Sequence, residues 1–168
     1  MKAEESQGIS LNKRNNQFDD ESILLKVVAG SQIGVLNSKY QYIIADFLGR
    51  GQYGYVYDAI NIFDHQHYAI KIFKSSEYYA QAALDETNIF LKLNNSDDSV
   101  NRTKIVKYYS TFTFKGHVCI VLEMLSFSLY DVLRERRYKG LPFCLVKKIL
   151  NDIAKGLKVF HDLGLSHF

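Results

Sequence analysis

The sequence predicts an α+β fold built on an antiparallel sheet, and three observations carry that prediction. Five short runs rich in β-branched and aromatic residues are separated by turn residues. One helical segment interrupts them after the third run. The last third of the chain then changes to apolar residues at helical spacing. With 168 residues, 47% of them hydrophobic and 23% charged, the chain has the size and composition of one globular domain rather than of a disordered polymer.

The elements follow in order. Residues 1–22 place Lys2, Glu4, Glu5, Lys13, Arg14, Asp19, Asp20 and Glu21 among Asn, Gln and Ser, too little apolar surface to order a segment. Ser22 to Leu36 is more apolar but is broken by Gly30 and Gly34, which suggests one or two short extended pieces. Residues 1–39 together read as a flexible N-terminal tail. Strands are expected at Tyr42 to Leu48, Tyr53 to Ile60, His67 to Phe73, Val106 to Phe114 and His117 to Met124. Only Lys115 and Gly116 separate the last two, a tight hairpin. Between the third and fourth strands, Tyr78 to Leu93 reads as a helix with Glu86, Ile89, Phe90 and Leu93 on one inward face. Ser128 to Arg137 is a short helix. Val146, Ile149, Leu150, Ile153, Leu157 and Phe160 mark a longer amphipathic one.

Composition narrows the function classes. The longest apolar runs, such as Val118 to Leu122, fall far short of the ~18 residues of a membrane span. No secretory signal opens the chain, and a net charge of +3 does not point to a nucleic-acid or membrane surface. The expectation is an intracellular protein of cytoplasm or nucleus, with Cys119 and Cys144 as reduced thiols. His65, His67, His117 and His161 lack the spacing of a zinc site, so no metal ligand is assigned.

Chemistry concentrates at Leu48 to Val56, LGRGQYGYV, where Gly49, Gly51 and Gly54 have the G-x-G-x-x-G spacing. A bland reading is a hairpin turn that needs φ > 0. In a dinucleotide-binding fold the glycines open a helix, whereas Tyr55, Val56, Tyr57 and Ile60 continue as strand formers. A Walker loop needs Lys and then Ser or Thr after the last glycine, and Tyr55 stands there. What remains is a glycine-rich hairpin whose backbone N–H groups can approach a polyphosphate. Lys71 interrupts the apolar run Tyr68-Ala69-Ile70-Lys71 and must meet an anion or reach water. Glu86, on the inward helix face, offers that anion.

Glycine hairpin, strand lysine and helix glutamate in this order resemble the small lobe of a eukaryotic protein kinase, over about Tyr40 to Phe168. HVCIVLEMLSFSLY from His117, LYDVLRERRYKG from Leu129 and ALDETNIFLKLN from Ala83 are similar to the dual-specificity tyrosine-regulated and Yak-like kinases. The resemblance implies a kinase-like small lobe: a five-stranded antiparallel sheet with one helix at residues 40–125, and the first helices of an incomplete large lobe at 126–168. It implies ATP as cofactor, with Gly49, Gly51 and Gly54 over the phosphates, Lys71 holding them and Glu86 orienting Lys71. Val56 and Ala69 would sandwich the adenine, Leu48 and Leu122 line the pocket, the backbone of Glu123 and Leu125 bond the base edge, and Asp131 approach the ribose. Ser128 stands where related kinases often carry Asn.

Leu165-Ser166-His167-Phe168 resembles the start of the H-R-D catalytic loop, with Phe168 in the Arg position. The expected Asp and the magnesium-binding motifs lie past Phe168, so the chain reads as truncated and inactive as it stands. Magnesium and protein substrates are expected of the full-length kinase, and neither nucleic acid nor membrane is expected as a partner. The alternative is a non-catalytic, pseudokinase-like interaction module.

Overall fold

The computed structural model describes residues 23–25, 27–95 and 103–165. Six strands and three helices follow one another: β1 (Gln32–Gly34), β2 (Gln41–Arg50), β3 (Gly54–Asn61), β4 (His67–Phe73), α1 (Glu77–Asn94), β5 (Tyr108–Phe114), β6 (His117–Glu123), α2 (Leu129–Glu135) and α3 (Phe143–Asp162). The strands form one antiparallel sheet in the order β1-β2-β3-β4-β6-β5, curled so that β1 returns toward β5. The expected segments 1–22 and the His167–Phe168 end of the catalytic-loop motif lie outside the described residues.

Two local signals fold as their chemistry dictates. Lys115 and Gly116 take φ of 49° and 80°, both left-handed, which suits a two-residue hairpin that matches the strand twist. Phe114 and His117 consequently face each other across β5 and β6. Ser76 caps α1 by accepting a hydrogen bond from the Tyr79 N–H at 3.4 Å.

The sheet has two apolar faces. On one, Tyr42, Ile44, Ala59, Ile70, Phe112 and Val121 pack beneath β1 and residues 25 and 27. On the other, Phe73, Tyr108 and Ile120 meet Ala83 of α1. The inward face of α1 differs in part from the expected one. The buried face of α1 is Tyr79, Ala83, Thr87 and Leu93, whereas Ile89 is 37% exposed and Leu84 52%. Of the expected face, Leu93 is buried, Phe90 packs against the core and Glu86 meets Lys71, while Ile89 turns outward and the polar Thr87 is buried in addition.

The strand count also differs from the expected one. Five strands were expected and six are present, since Gln32–Gly34 pairs with Gln41–Ile43 and buries Ile33 to 1% exposure. Gln32–Gly34, within the expected 1–39 tail, is therefore part of the sheet. Three residues are enough because Ile33 sits under the curled sheet, where burying one isoleucine contributes about 1.5–3 kcal/mol.

α3 touches the rest of the molecule along a narrow line. Gly156 lies against the Lys104 backbone, where an added Cβ would come within 3.2 Å of the Lys104 oxygen, and Asp152 pairs with Lys104 at 3.3 Å. Leu150, Ile153 and Leu157 remain 60%, 50% and 40% exposed.

Candidate functional site

The site is assembled on the α1-facing side of the sheet. Lys71 is opposite Val56 on β3 and Ile120 on β6, Ala69 is opposite Leu122, and Gly49 is opposite Val56. Register partners share a face, as do residues two apart on one strand. Gly49, Val56, Ala69, Lys71 and Leu122 therefore look the same way.

Lys71 sits at the middle of a central strand, where its ammonium must be compensated. Its Nζ donates to Glu86 Oε2 at 2.5 Å, with the two side chains 18% and 28% exposed. The rings of Phe73 and Tyr53 lie 4.6 and 5.9 Å from the same nitrogen. Tyr53, at the hairpin tip, also meets Tyr78 and Tyr79 at the start of α1, each at 6.5 Å between centroids. An ammonium held by one carboxylate against aromatic faces is a fixed positive point that a second anion can share.

The three hairpin glycines differ in what they do. None has φ in the left-handed region, so the turn itself does not demand them. The tip is closed by the Gly51 N–H donating to the Gly54 oxygen at 2.8 Å. A Cβ on Gly49 would meet nothing within 4 Å, and one on Gly51 only the Gly54 oxygen at 3.7 Å. A Cβ on Gly54 would stand 2.0 Å from the Ile72 oxygen. Gly54 is thus required by the β3–β4 pairing, while Gly49 and Gly51 leave bare backbone beside open space.

Next to this pair is a cleft of about 760 Å³, within the ~300–1,000 Å³ usual for small-molecule sites. Six of the expected residues line it: Leu48, Ala69, Leu122, Glu123, Leu125 and Asp131. Leu48 reaches it because the β2–β3 register slips between Phe47 and Gly49, and such a bulge re-aims the extra side chain. The three glycines, Val56 and Lys71 do not line the cleft itself. The Glu123 N–H already donates to the Lys107 oxygen at 2.8 Å, so that donor is not available to a ligand.

Asp131 is held by a capping box at the start of α2. It accepts from the Ser128 hydroxyl at 2.5 Å and the Ser128 N–H at 3.1 Å, while Arg134 donates to its other oxygen at 3.0 Å. The Ser128 hydroxyl, the Ser128 N–H and Arg134 lower its carboxyl pKa from the ordinary value. Burial pushes the Cys119 thiol up to about 12, which makes it a packing residue rather than a nucleophile.

Val106, Met124, Ser126, Phe127 and Ser128 also line the cleft and were not expected there. Four of these belong to the linker that already contains Glu123 and Leu125, so continuity could have found them. Val106 had no such signal, because its place depends on how the chain enters β5.

Residues 42–168 match the Protein kinase domain family. The chain belongs to the protein kinase family. This kinase chain is 33% identical over 150 residues to the Serine/threonine-protein kinase ppk5 of Schizosaccharomyces pombe, covering 89% of this chain and 17% of that protein. It is 30% identical over 155 residues to the Dual specificity protein kinase YAK1 of Saccharomyces cerevisiae, covering 92% and 19%. The DYRK-family kinase pom1 of Schizosaccharomyces pombe is 31% identical over 153 residues, 91% of this chain and 14% of that protein. A crystal structure of a kinase domain superimposes with a TM-score of 0.73 at 26% identity, covering 86% of this chain and 40% of that one. The chain spans less than a fifth of the length of these curated relatives.

Proposed function

We propose that this chain is the ATP-binding portion of a protein kinase that transfers the γ-phosphate of ATP to protein Ser or Thr hydroxyls, with dual specificity extending to Tyr. The observation that carries the reading is the Lys71–Glu86 contact at 2.5 Å, beside an apolar cleft large enough for a nucleoside. Lys71 holds the α- and β-phosphates, and Glu86 fixes where its ammonium stands. Gly49 and Gly51 let the hairpin backbone close over the phosphates. Val56 and Ala69 enclose the adenine, Leu48 and Leu122 complete its walls, and the carbonyl of Glu123 with the backbone of Leu125 bonds its edge. Asp131 takes the ribose hydroxyls. Residues 40–125 form the small lobe in this reading, and 126–168 its exit into the large lobe.

ATP brings the phosphoryl group, and what these residues do is bind it, orient it and screen its charge. The proton acceptor and the magnesium ligands of phosphoryl transfer are not among the residues assigned. Among the described residues no group of three His, Cys, Asp or Glu side chains could hold a metal ion, so none is proposed as a magnesium ligand.

The test is ligand-dependent stability. ATP at 100 times its Kd stabilises a one-site protein by ~2.7 kcal/mol, read as an increase in melting temperature. Lys71→Met erases most of that increase on this reading. Equal increases in both proteins remove Lys71 from the site.

A further inference from the structure

α1 carries Glu86, so whatever fixes the rotation of α1 about its own axis fixes the Lys71–Glu86 contact. Apolar packing does this poorly, since a helix can slide or turn over a greasy surface with little change in buried area. Hydrogen bonds do it well, because they form at one rotation only.

Three side chains of α1 converge on the start of β5. The buried Thr87 hydroxyl lies 3.2 Å from that of Thr111, which in turn lies 3.0 Å from the Tyr108 hydroxyl. One turn further, Phe90 stacks on the Tyr108 ring, with centroids 5.5 Å apart and planes 9° from parallel. One turn beyond that, the Asn94 amide donates to the Tyr108 carbonyl at 3.1 Å. Positions 87, 90 and 94 lie on one helix stripe, and all three rungs end on Tyr108 or its hydroxyl partner.

We propose that Thr87, with Thr111 and Tyr108, is a positioning group for the nucleotide site: the hydroxyl chain sets the rotation of α1 and so holds Glu86 against Lys71. The proposal rests on the nucleotide reading above and adds to it a regulating element, a polar clasp 16 to 40 residues along the chain from Lys71. Thr87 follows Glu86 directly, so a small rotation that breaks the Thr87 hydrogen bond swings the carboxylate away from the ammonium. The surrounding patch of Phe73, Ala83 and Ile120 is apolar, and a Val at position 87 would fill the same space without selecting a rotation.

The experiment measures ATP and adenosine affinities by calorimetry for the whole chain, for Thr87→Val and for Thr87→Ser. Adenosine uses the cleft alone, whereas ATP also uses Lys71. Thr87→Val is expected to weaken ATP about tenfold and leave adenosine unchanged, with Thr87→Ser restoring ATP binding. In Glu86→Gln, adding Thr87→Val should weaken ATP no further. Parallel losses of ATP and adenosine, no loss of either, or failure of Ser to rescue overturns the proposal. Should Thr87→Val not fold, Tyr108→Phe removes the far hydroxyl and keeps the stacked ring, with a smaller loss in the same direction expected. A wild-type chain that binds ATP no better than adenosine ends the phosphate reading alone. The clasp is then judged by the ¹⁵N resonance of the Lys71 ammonium, which must lose its hydrogen-bonded signature in Thr87→Val and keep it in Thr87→Ser. An unchanged resonance in Thr87→Val overturns it.

Discussion

Alanine at Gly54 and alanine at Gly49 should move stability in opposite directions. At Gly54 the new Cβ lies 2.0 Å from the Ile72 oxygen, and ordinary non-bonded contact at ~3.5–4.0 Å requires β3 and β4 to part by more than about 1 Å. Both strands are interior to the sheet, so the displacement propagates into the Val56–Lys71 pair. Forcing extra volume into a packed region costs about 1–3 kcal/mol. For a chain of 168 residues, each kcal/mol is about 2–4 °C of melting temperature, giving a loss of about 2–12 °C. At Gly49 the Cβ meets nothing within 4 Å and φ is not left-handed, so alanine only reduces the entropy of the unfolded chain. That is worth about 0.4–1 kcal/mol, a gain of about 1–4 °C. The same Gly49→Ala protein should bind ATP more weakly, because its added methyl covers bare backbone. Calorimetric melting of the three proteins reads both signs. Gly54→Ala melting at or above wild type would falsify the steric argument, as would an equal loss at both positions.

Further outcomes follow from other parts of the molecule. Because Ser128 and Arg134 depress the Asp131 pKa, its contribution to the α2 cap is present above the ordinary carboxylate value of 3.8 and is lost as pH falls through the depressed one. Carbon-detected NMR titration should find Asp131 ionising below 3.8, and Ser128→Ala should bring its pKa back toward that value. The exposed stripe Leu150, Ile153 and Leu157 should make the isolated chain self-associate. Replacing all three with Gln should yield a monomer by sedimentation velocity without loss of ATP binding, and a persistent oligomer would locate the association elsewhere.

How much was legible depended on the range of the cause. His67–Phe73 and the Lys115-Gly116 hairpin could be read because alternation, β-propensity and turn chemistry act over a few neighbouring residues. Ser22 to Leu36 could be read as one or two short extended pieces, and Gln32–Gly34 is one, but its place in the sheet could not, since Ile33 is buried by a sheet that curls over it. Lys71 and Glu86 were legible as a pair from their expense: each is a charge in an apolar pattern, and each is the other's nearest remedy. The G-x-G-x-x-G spacing marked three glycines but not their separate reasons, because the clash at Gly54 comes from Ile72, which only the β3–β4 register brings close. Leu48, Ala69, Leu122, Glu123, Leu125 and Asp131 could be named from the kinase resemblance and line one cleft, while Val106 joins them only through tertiary placement. Thr87 was missed by the same rule that found Phe90, for a hydroxyl scores as surface until its partner on another element is known.

The central claim is that the Lys71 ammonium, held by Glu86, is the group that meets the phosphates of a bound nucleotide. An acyl phosphate of ATP tests it directly, since an amine beside the phosphates takes the acyl group onto its nitrogen and expels ATP. Mass-spectrometric mapping should find Lys71 acylated, with the label suppressed by excess ATP and strongly reduced in Glu86→Gln. Label confined to exposed lysines such as Lys39 or Lys115, and indifferent to competing ATP, would contradict it.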